Sequence, residues 1–145
     1  GYLEALRRNG LPITEKQVGW IDTVDQDSLK QEGDRLLARL SGCTACVCYN
    51  DQVAHALTEI CAGAGIRIPE DLSLVSIDNS ELSGLNAVPL ASVAHPTEAM
   101  GKKAAENLLR LIKNPGFNAT YEFVPEICQR SSAADLRGSA LNEIN

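Results

Sequence analysis

Three polar stretches of this 145-residue chain could bind a ligand rich in hydroxyl groups. They are Asn50-Asp51, Asp78-Asn79 and His95, and each directly follows an apolar run with the composition of a β-strand. Because ligands of α/β proteins bind beyond the carboxyl ends of parallel strands, we expect these side chains to lie at one edge of a sheet. Carboxylate, amide and imidazole groups can each bridge neighbouring hydroxyls. At the first pair, the alternative is that the residues only cap the helix that follows.

The cysteines suggest a second kind of site, a metal centre. Cys43, Cys46 and Cys48 have the spacing C-x-x-C-x-C, and His55 and Cys61 could complete a zinc or iron–sulfur ligand set. However, no second C-x-x-C pairs with this cluster, and Cys46 and Cys48 fall in a run that should be buried, where free cysteine packs as a small apolar residue. We therefore predict reduced, metal-free thiols and no cofactor, with metal binding as the alternative.

Catalytic patterns are missing from the sequence. There is no G-x-S-x-G turn for a nucleophilic serine and no phosphate-binding loop of the form G-x-x-x-x-G-K-[ST]. Asp78 has no evident acidic partner at another strand end, as glycoside hydrolysis would require. The prediction is that this chain is not an enzyme.

The elements that must position these residues alternate along the chain. Apolar periodicity predicts helices over residues 1–9, 25–42, 51–65 and 96–114. Runs that favour β-structure predict strands at 16–22, 45–49, 72–78 and 91–95, and one strand or a strand pair within 120–132. The run at 45–49 is continuously apolar, which indicates a buried parallel strand. This order predicts an α/β fold with a mostly parallel sheet flanked by helices.

The overall composition excludes some partners. Apolar residues make up 44% and charged residues 22% of the chain, as in ordinary globular proteins. The net charge of −6 argues against nucleic-acid binding by these residues, because such binding requires a basic surface. No apolar run approaches the length of about 18 residues that a membrane span needs. The odd number of clustered cysteines, five in all, favours the reducing cytoplasm.

Four motifs, in order, resemble the effector-binding core of the LacI/GalR repressor family. They are CYND (48–51), GIRIPEDLSLVSIDNSEL (65–82), PLASVAHPTEAMGKKAAENLL (89–109) and FVPEICQRSSA (123–133). Within the family, CYND, SVAHP and GKKAA are most similar to arabinose repressors of the AraR type, which carry a GntR-type DNA-binding head. The resemblance implies a periplasmic-binding-protein-like fold with a sugar, L-arabinose first, in a cleft between two subdomains. Sugar binding would then alter how a homodimer presents its DNA-binding heads.

The resemblance also assigns ligand-binding residues. By position, Asn50 matches a strand-end asparagine that contacts the effector, Asp78 an acidic residue that binds sugar hydroxyls, and His95 a position that faces the ligand. Asp51 is then the helix cap. Trp20 is one residue away from an aromatic position that stacks on the sugar.

The sequence departs from the family in two ways. SID (76–78) replaces the usual Gly-aromatic-Asp. Three parts of the family's proteins have no counterpart here: the DNA-binding head, most of the N-terminal subdomain and the first strand of the C-terminal subdomain. Helix 96–114 should therefore expose its apolar stripe. The chain is thus expected to be the C-terminal part of an effector domain. Residues 1–90 and 120–132 form the C-terminal subdomain, 91–115 the crossover strand and helix, and 133–145 a flexible tail.

Family dimer contacts carry over onto a helix face and a following loop. The residues concerned are Val53, Leu57, Leu82 and Pro89. DNA would be contacted only through the absent N-terminal domain, and no membrane partner is expected. Two other interpretations stay open. A periplasmic sugar-binding protein of a transport system shares the fold, and a sugar-acting enzyme is the other class.

Overall fold

The computed structural model describes residues 1–14, 17–21, 32–118 and 120–135. The helices are α1 (Tyr2–Arg8), α2 (Gly33–Leu40), α3 (Asp51–Gly63), α4 (Glu81–Leu85) and α5 (Thr97–Lys113). The strands are β1 (Ala45–Val47), β2 (Ser73–Asp78), β3 (Ala91–Ala94) and β4 (Glu126–Cys128). The order of elements confirms the α/β prediction. None of the helices in these ranges is long and apolar enough to cross a membrane.

Several element boundaries differ from the sequence prediction. The strand expected at 16–22 is wrong for residues 17–21, which are not in a strand, and its two ends lie outside the described residues. Residues 25–31 of the predicted helix 25–42 and residues 136–145 of the predicted tail also lie outside them. The short helix α4 was not predicted, because Gly84 interrupts its sequence pattern.

The four strands form one sheet in the order β1-β2-β3-β4. The first three strands are parallel, and β4 pairs antiparallel with β3. β1 therefore lies at an edge, and its Val47 is 54% exposed. The prediction of a buried strand at 45–49 is wrong, because an apolar run shows β-propensity but not which neighbours cover it.

The hydrophobic core lies between the sheet and one face of α3. Its buried members are Cys48, Val53, Ala54, Leu57, Cys61, Ile68, Leu72, Leu74 and Leu90. Val53 and Leu57, assigned above to a dimer contact, therefore have their side chains covered within the chain. Leu82 and Pro89 are half-buried. Leu85, between them, is 81% exposed, and the dimer contact stays a prediction.

Helix α5 has an uncovered apolar face. It contains no buried residue, and its exposed apolar side chains include Met100, Leu108, Leu109 and Ile112. This confirms the expectation that helix 96–114 exposes its stripe. Strand β3, which leads into this helix, is fully part of the sheet.

Candidate functional site

The carboxyl ends of β1, β2 and β3 lie side by side at one edge of the sheet. Asp78 ends β2 and is paired in register with Ala94, the last residue of β3. This brings the Asp78 carboxylate oxygen to within 3.6 Å of Nε2 of His95. Both side chains are partly open to solvent, at 51% for Asp78 and 41% for His95. Asn50 follows the neighbouring strand β1, so the three predicted residues share one edge.

The structure assigns the helix cap to Asn50 and not, as predicted, to Asp51. Asn50 is the N-cap of α3, and its Oδ1 accepts the backbone N–H of Val53 at 3.0 Å. Asp51 is the first helical residue and is only 1% exposed. The prediction that Asp51 caps the helix is wrong. A ligand-binding role for Asn50 stays a prediction.

Asp51 stabilises the strand ends through hydrogen bonds with serines of neighbouring segments. Its carboxylate accepts hydrogen bonds from the Ser76 hydroxyl at 2.5 Å, the Ser92 hydroxyl at 2.8 Å, and the Ser80 hydroxyl and backbone N–H at 2.8 and 2.6 Å. Burial raises the pKa of Asp51, but these donors outweigh burial and leave the pKa below its ordinary value. The carboxylate therefore stays ionised and ties β2, β3 and the turn after β2 together.

Ser76 stands where the repressor family that the sequence resembles usually has glycine. Ser76 is completely buried and donates to Asp51, so the departure at residues 76–78 supplies a partner for a buried charge. Sequence reasoning missed Ser76, Ser80 and Ser92 as supports. A signal was present, since polar residues inside otherwise apolar strands need buried partners.

The turn that follows β2 has an unusual backbone. Asp78 has φ 105° and Asn79 has φ 50°, a region that non-glycine residues rarely adopt. The Asn79 N–H donates to the Ser92 hydroxyl at 3.0 Å, and Nη2 of Arg130 donates to Asn79 Oδ1 at 2.7 Å. Strained backbone of this kind often occurs at functional sites. The sequence alone did not identify Arg130, which is 51 positions from its partner.

The remaining sequence-predicted residue is Trp20. Its side chain is 89% exposed. A methyl group on the neighbouring Gly19 would lie 3.9 Å from side-chain atoms of Leu36 and Arg39 in helix α2. The stacking role of Trp20 stays a prediction.

The cysteines are free thiols in the structure. Cys48 and Cys61 are buried, and Cys43, Cys46 and Cys128 are half-buried. A hydrogen bond from Cys48 lowers the pKa of Cys46, and burial opposes this change. Within the described ranges, no three side chains of the His, Cys, Asp and Glu types are grouped to hold a metal ion. Absence of bound metal stays a prediction, which elemental analysis of the purified protein would check.

We expect Asn50→Ala to lower the free energy of unfolding by about 1 kcal/mol, because the Val53 N–H loses its cap acceptor. Urea unfolding followed by circular dichroism measures this change. Asn50→Asp is the matched control, since aspartate caps helices as well as asparagine does. Equal stability of the alanine variant and the parent protein would contradict the capping role.

Comparisons with known proteins show what this chain is similar to. Residues 1–133 match the family described as periplasmic binding protein-like domain. The chain is 34% identical over 142 residues to the HTH-type transcriptional repressor PurR of Vibrio cholerae, covering 96% of this chain and 41% of the relative. It is 33% identical over 95 residues to the arabinose metabolism transcriptional repressor of Geobacillus stearothermophilus, covering 64% of this chain and 26% of that protein.

A solved structure shows the same fold. The LacI family transcriptional regulator from Enterococcus faecium with bound ribose has a TM-score of 0.72 at 26% identity, covering 93% of this chain and 50% of that one. The chain spans less than half of the length of the two curated relatives that it matches here.

Proposed function

Because this chain belongs to the periplasmic binding protein-like domains of LacI-family regulators, we propose that it is the sugar-binding part of a bacterial transcriptional repressor. The proposed effector is a monosaccharide, with L-arabinose as the first candidate. Similarity to the arabinose metabolism repressor of Geobacillus stearothermophilus supports this choice. The sugar would bind at the carboxyl edge of the sheet.

The juxtaposition of Asp78 and His95 carries this proposal. The two side chains lie 3.6 Å apart and are half-open to solvent, so an incoming ligand can reach both. An ionised carboxylate accepts from two adjacent hydroxyls, while imidazole can donate or accept. The hydrogen bonds to the buried Asp51 carboxylate hold the strand ends in place in the absence of ligand. A preorganised site loses less entropy on binding.

On this proposal, residues outside this chain form the rest of the cleft. The uncovered apolar face of α5 and the exposed edge of β1 both fit a larger protein, as does the coverage of 41% of the PurR relative. We propose that an N-terminal subdomain completes the cleft and that a separate N-terminal domain contacts DNA. The full-length protein would be a cytoplasmic homodimer with no membrane partner.

The rival functions have less support. A transport-system binding protein shares the fold, but the two curated relatives described above are transcriptional repressors. A sugar-acting enzyme of the glycosidase type needs a second carboxylate open to the substrate, and Asp51 at the same strand ends is buried with its oxygens engaged by serines.

Titration calorimetry of the full-length protein tests the proposal. The panel consists of L-arabinose, D-ribose, D-xylose, D-glucose and cellobiose. We expect L-arabinose to bind most tightly and to release the protein from its operator DNA in a gel-shift assay. Binding of another sugar would correct the effector but keep the function. No heat with any sugar, together with unchanged DNA binding, would contradict the proposal.

A further inference from the structure

The turn after β2 requires support from outside its own sequence. Asp78 and Asn79 lie in succession at φ 105° and 50°, and each such residue carries a conformational cost for an L-amino acid with a side chain. The turn sets the direction in which the Asp78 side chain leaves the sheet. Whatever holds Asn79 and Ser80 therefore also determines where the Asp78 carboxylate lies.

Arg130 holds the first residue after β2, whereas Asp51 holds the next one, Ser80. Its Nη1 donates to the carbonyl oxygen of Leu90 at 2.7 Å, and its Nη2 donates to Oδ1 of Asn79 at 2.7 Å. The guanidinium therefore links the residue before β3 to the residue after β2. The planar guanidinium, with two donors in fixed positions, suits this link better than the flexible ammonium group of lysine.

The backbone around Arg130 is itself fixed. Two residues further on, Ser132 is completely buried, and its N–H donates to the Pro89 carbonyl at 3.0 Å. The Ser132 carbonyl accepts the N–H of Leu74 at 2.7 Å. The segment that carries Arg130 is therefore hydrogen-bonded both to strand β2 and to the residues that precede β3.

We propose that Arg130 is a positioning residue for the effector site, acting on Asp78 through Oδ1 of Asn79. It does not need to touch the ligand. Its charged hydrogen bond keeps Asn79 in the left-handed conformation, which in turn aims the Asp78 carboxylate at the ligand. This inference rests on the proposed function for its effect on sugar binding, but its structural effect can be measured without sugar.

The first experiment compares amide hydrogen exchange in the full-length protein and its Arg130→Met variant. The N–H groups of Asn79 and Ser80 should exchange about tenfold faster or more in the variant, because the turn opens more often. The N–H of Cys48, which donates to Val75 at 2.8 Å within the sheet, should keep its rate. Arg39→Met is the matched control, since Arg39 also donates to a backbone carbonyl, that of Val18, but far from the turn.

The second experiment measures L-arabinose affinity in a double-mutant cycle with Asn79→Gly. Glycine tolerates the left-handed φ of residue 79 but removes the acceptor of Arg130. We expect Arg130→Met to weaken binding about tenfold in the parent protein and less than about twofold beside Asn79→Gly. Arg130→Lys should recover part of the affinity, because it keeps one charged donor.

The two experiments test the positioning role of Arg130 separately from the proposed sugar-binding function. Unchanged exchange at Asn79 and Ser80 would overturn the positioning role whether or not a sugar binds. Equal losses of affinity with and without the Asn79 side chain would also overturn it, because they would assign Arg130 a general structural role. Failure of the parent protein to bind any sugar would contradict the proposed function only, and the exchange rates would still decide the role of Arg130.

Discussion

Asp51→Asn is expected to lower the free energy of unfolding by about 3 kcal/mol. The carboxylate accepts four hydrogen bonds from three serines, and Ser76 and Ser92 are completely buried. An amide can accept through only one of its two polar atoms, so buried donors would face the N–H groups of the new side chain. Hydrogen bonds to a charged group contribute about 1.5–3 kcal/mol each, and buried donors left unpaired carry a further cost. Urea unfolding monitored by circular dichroism measures the loss.

Asp34→Asn is the control for this prediction. Asp34 is exposed in the first turn of α2, and the same chemical change there should alter stability by less than about 0.5 kcal/mol. A stability loss for Asp51→Asn no larger than that of the control would contradict the role of Asp51 as the support of the strand ends.

The same residue predicts a dependence of stability on pH. Its pKa is lower in the folded protein than the ordinary value of 3.8, so the folded state favours the ionised form. The resulting stabilisation is complete above about pH 4 and is lost as the pH falls through the lower folded-state pKa. The pKa of Asp71 is also lowered, to about 2, by hydrogen bonds from Arg67, and it contributes in the same direction. Asp51→Asn should therefore weaken the acid sensitivity of stability without abolishing it.

Asp78→Ala is expected to weaken L-arabinose binding by the full-length protein at least about 100-fold, or about 3 kcal/mol. Removing the carboxylate leaves sugar hydroxyls without an acceptor in a site that is otherwise preorganised. Titration calorimetry measures the affinity. Asp78→Asn should show a smaller loss, because asparagine keeps one acceptor oxygen and tolerates the φ of 105° at this position.

Asp71→Ala is the matched control for ligand binding. Asp71 precedes β2 at its amino end, whereas Asp78 ends the same strand at the candidate site. The control should bind the sugar with the affinity of the parent protein. Unchanged affinity in Asp78→Ala, or an equal loss in both variants, would remove Asp78 from the ligand-binding residues.

The sequence by itself determined helices α3 and α5, strands β2 and β3 between them, and the edge at which the candidate site lies. The apolar period of about 3.6 residues in α3 and α5 is local information, as is the β-favouring run of β2. The strand-end rule then predicted that Asn50, Asp78 and His95 share one edge. That rule needs only the parallel direction of the strands, which alternating helices and strands indicate.

Only the tertiary structure decided how the residues at that edge divide their roles. Asparagine and aspartate are equally good helix caps, so no local rule could assign the cap to Asn50 and the buried support to Asp51. The partners of Asp51 are 25, 29 and 41 positions away, and Arg130 reaches a residue 51 positions away. The exposure of β1 likewise depends on what covers the sheet edge. Hydrogen-bond satisfaction of a buried charge is a property of the packed fold, and a local sequence pattern does not contain it.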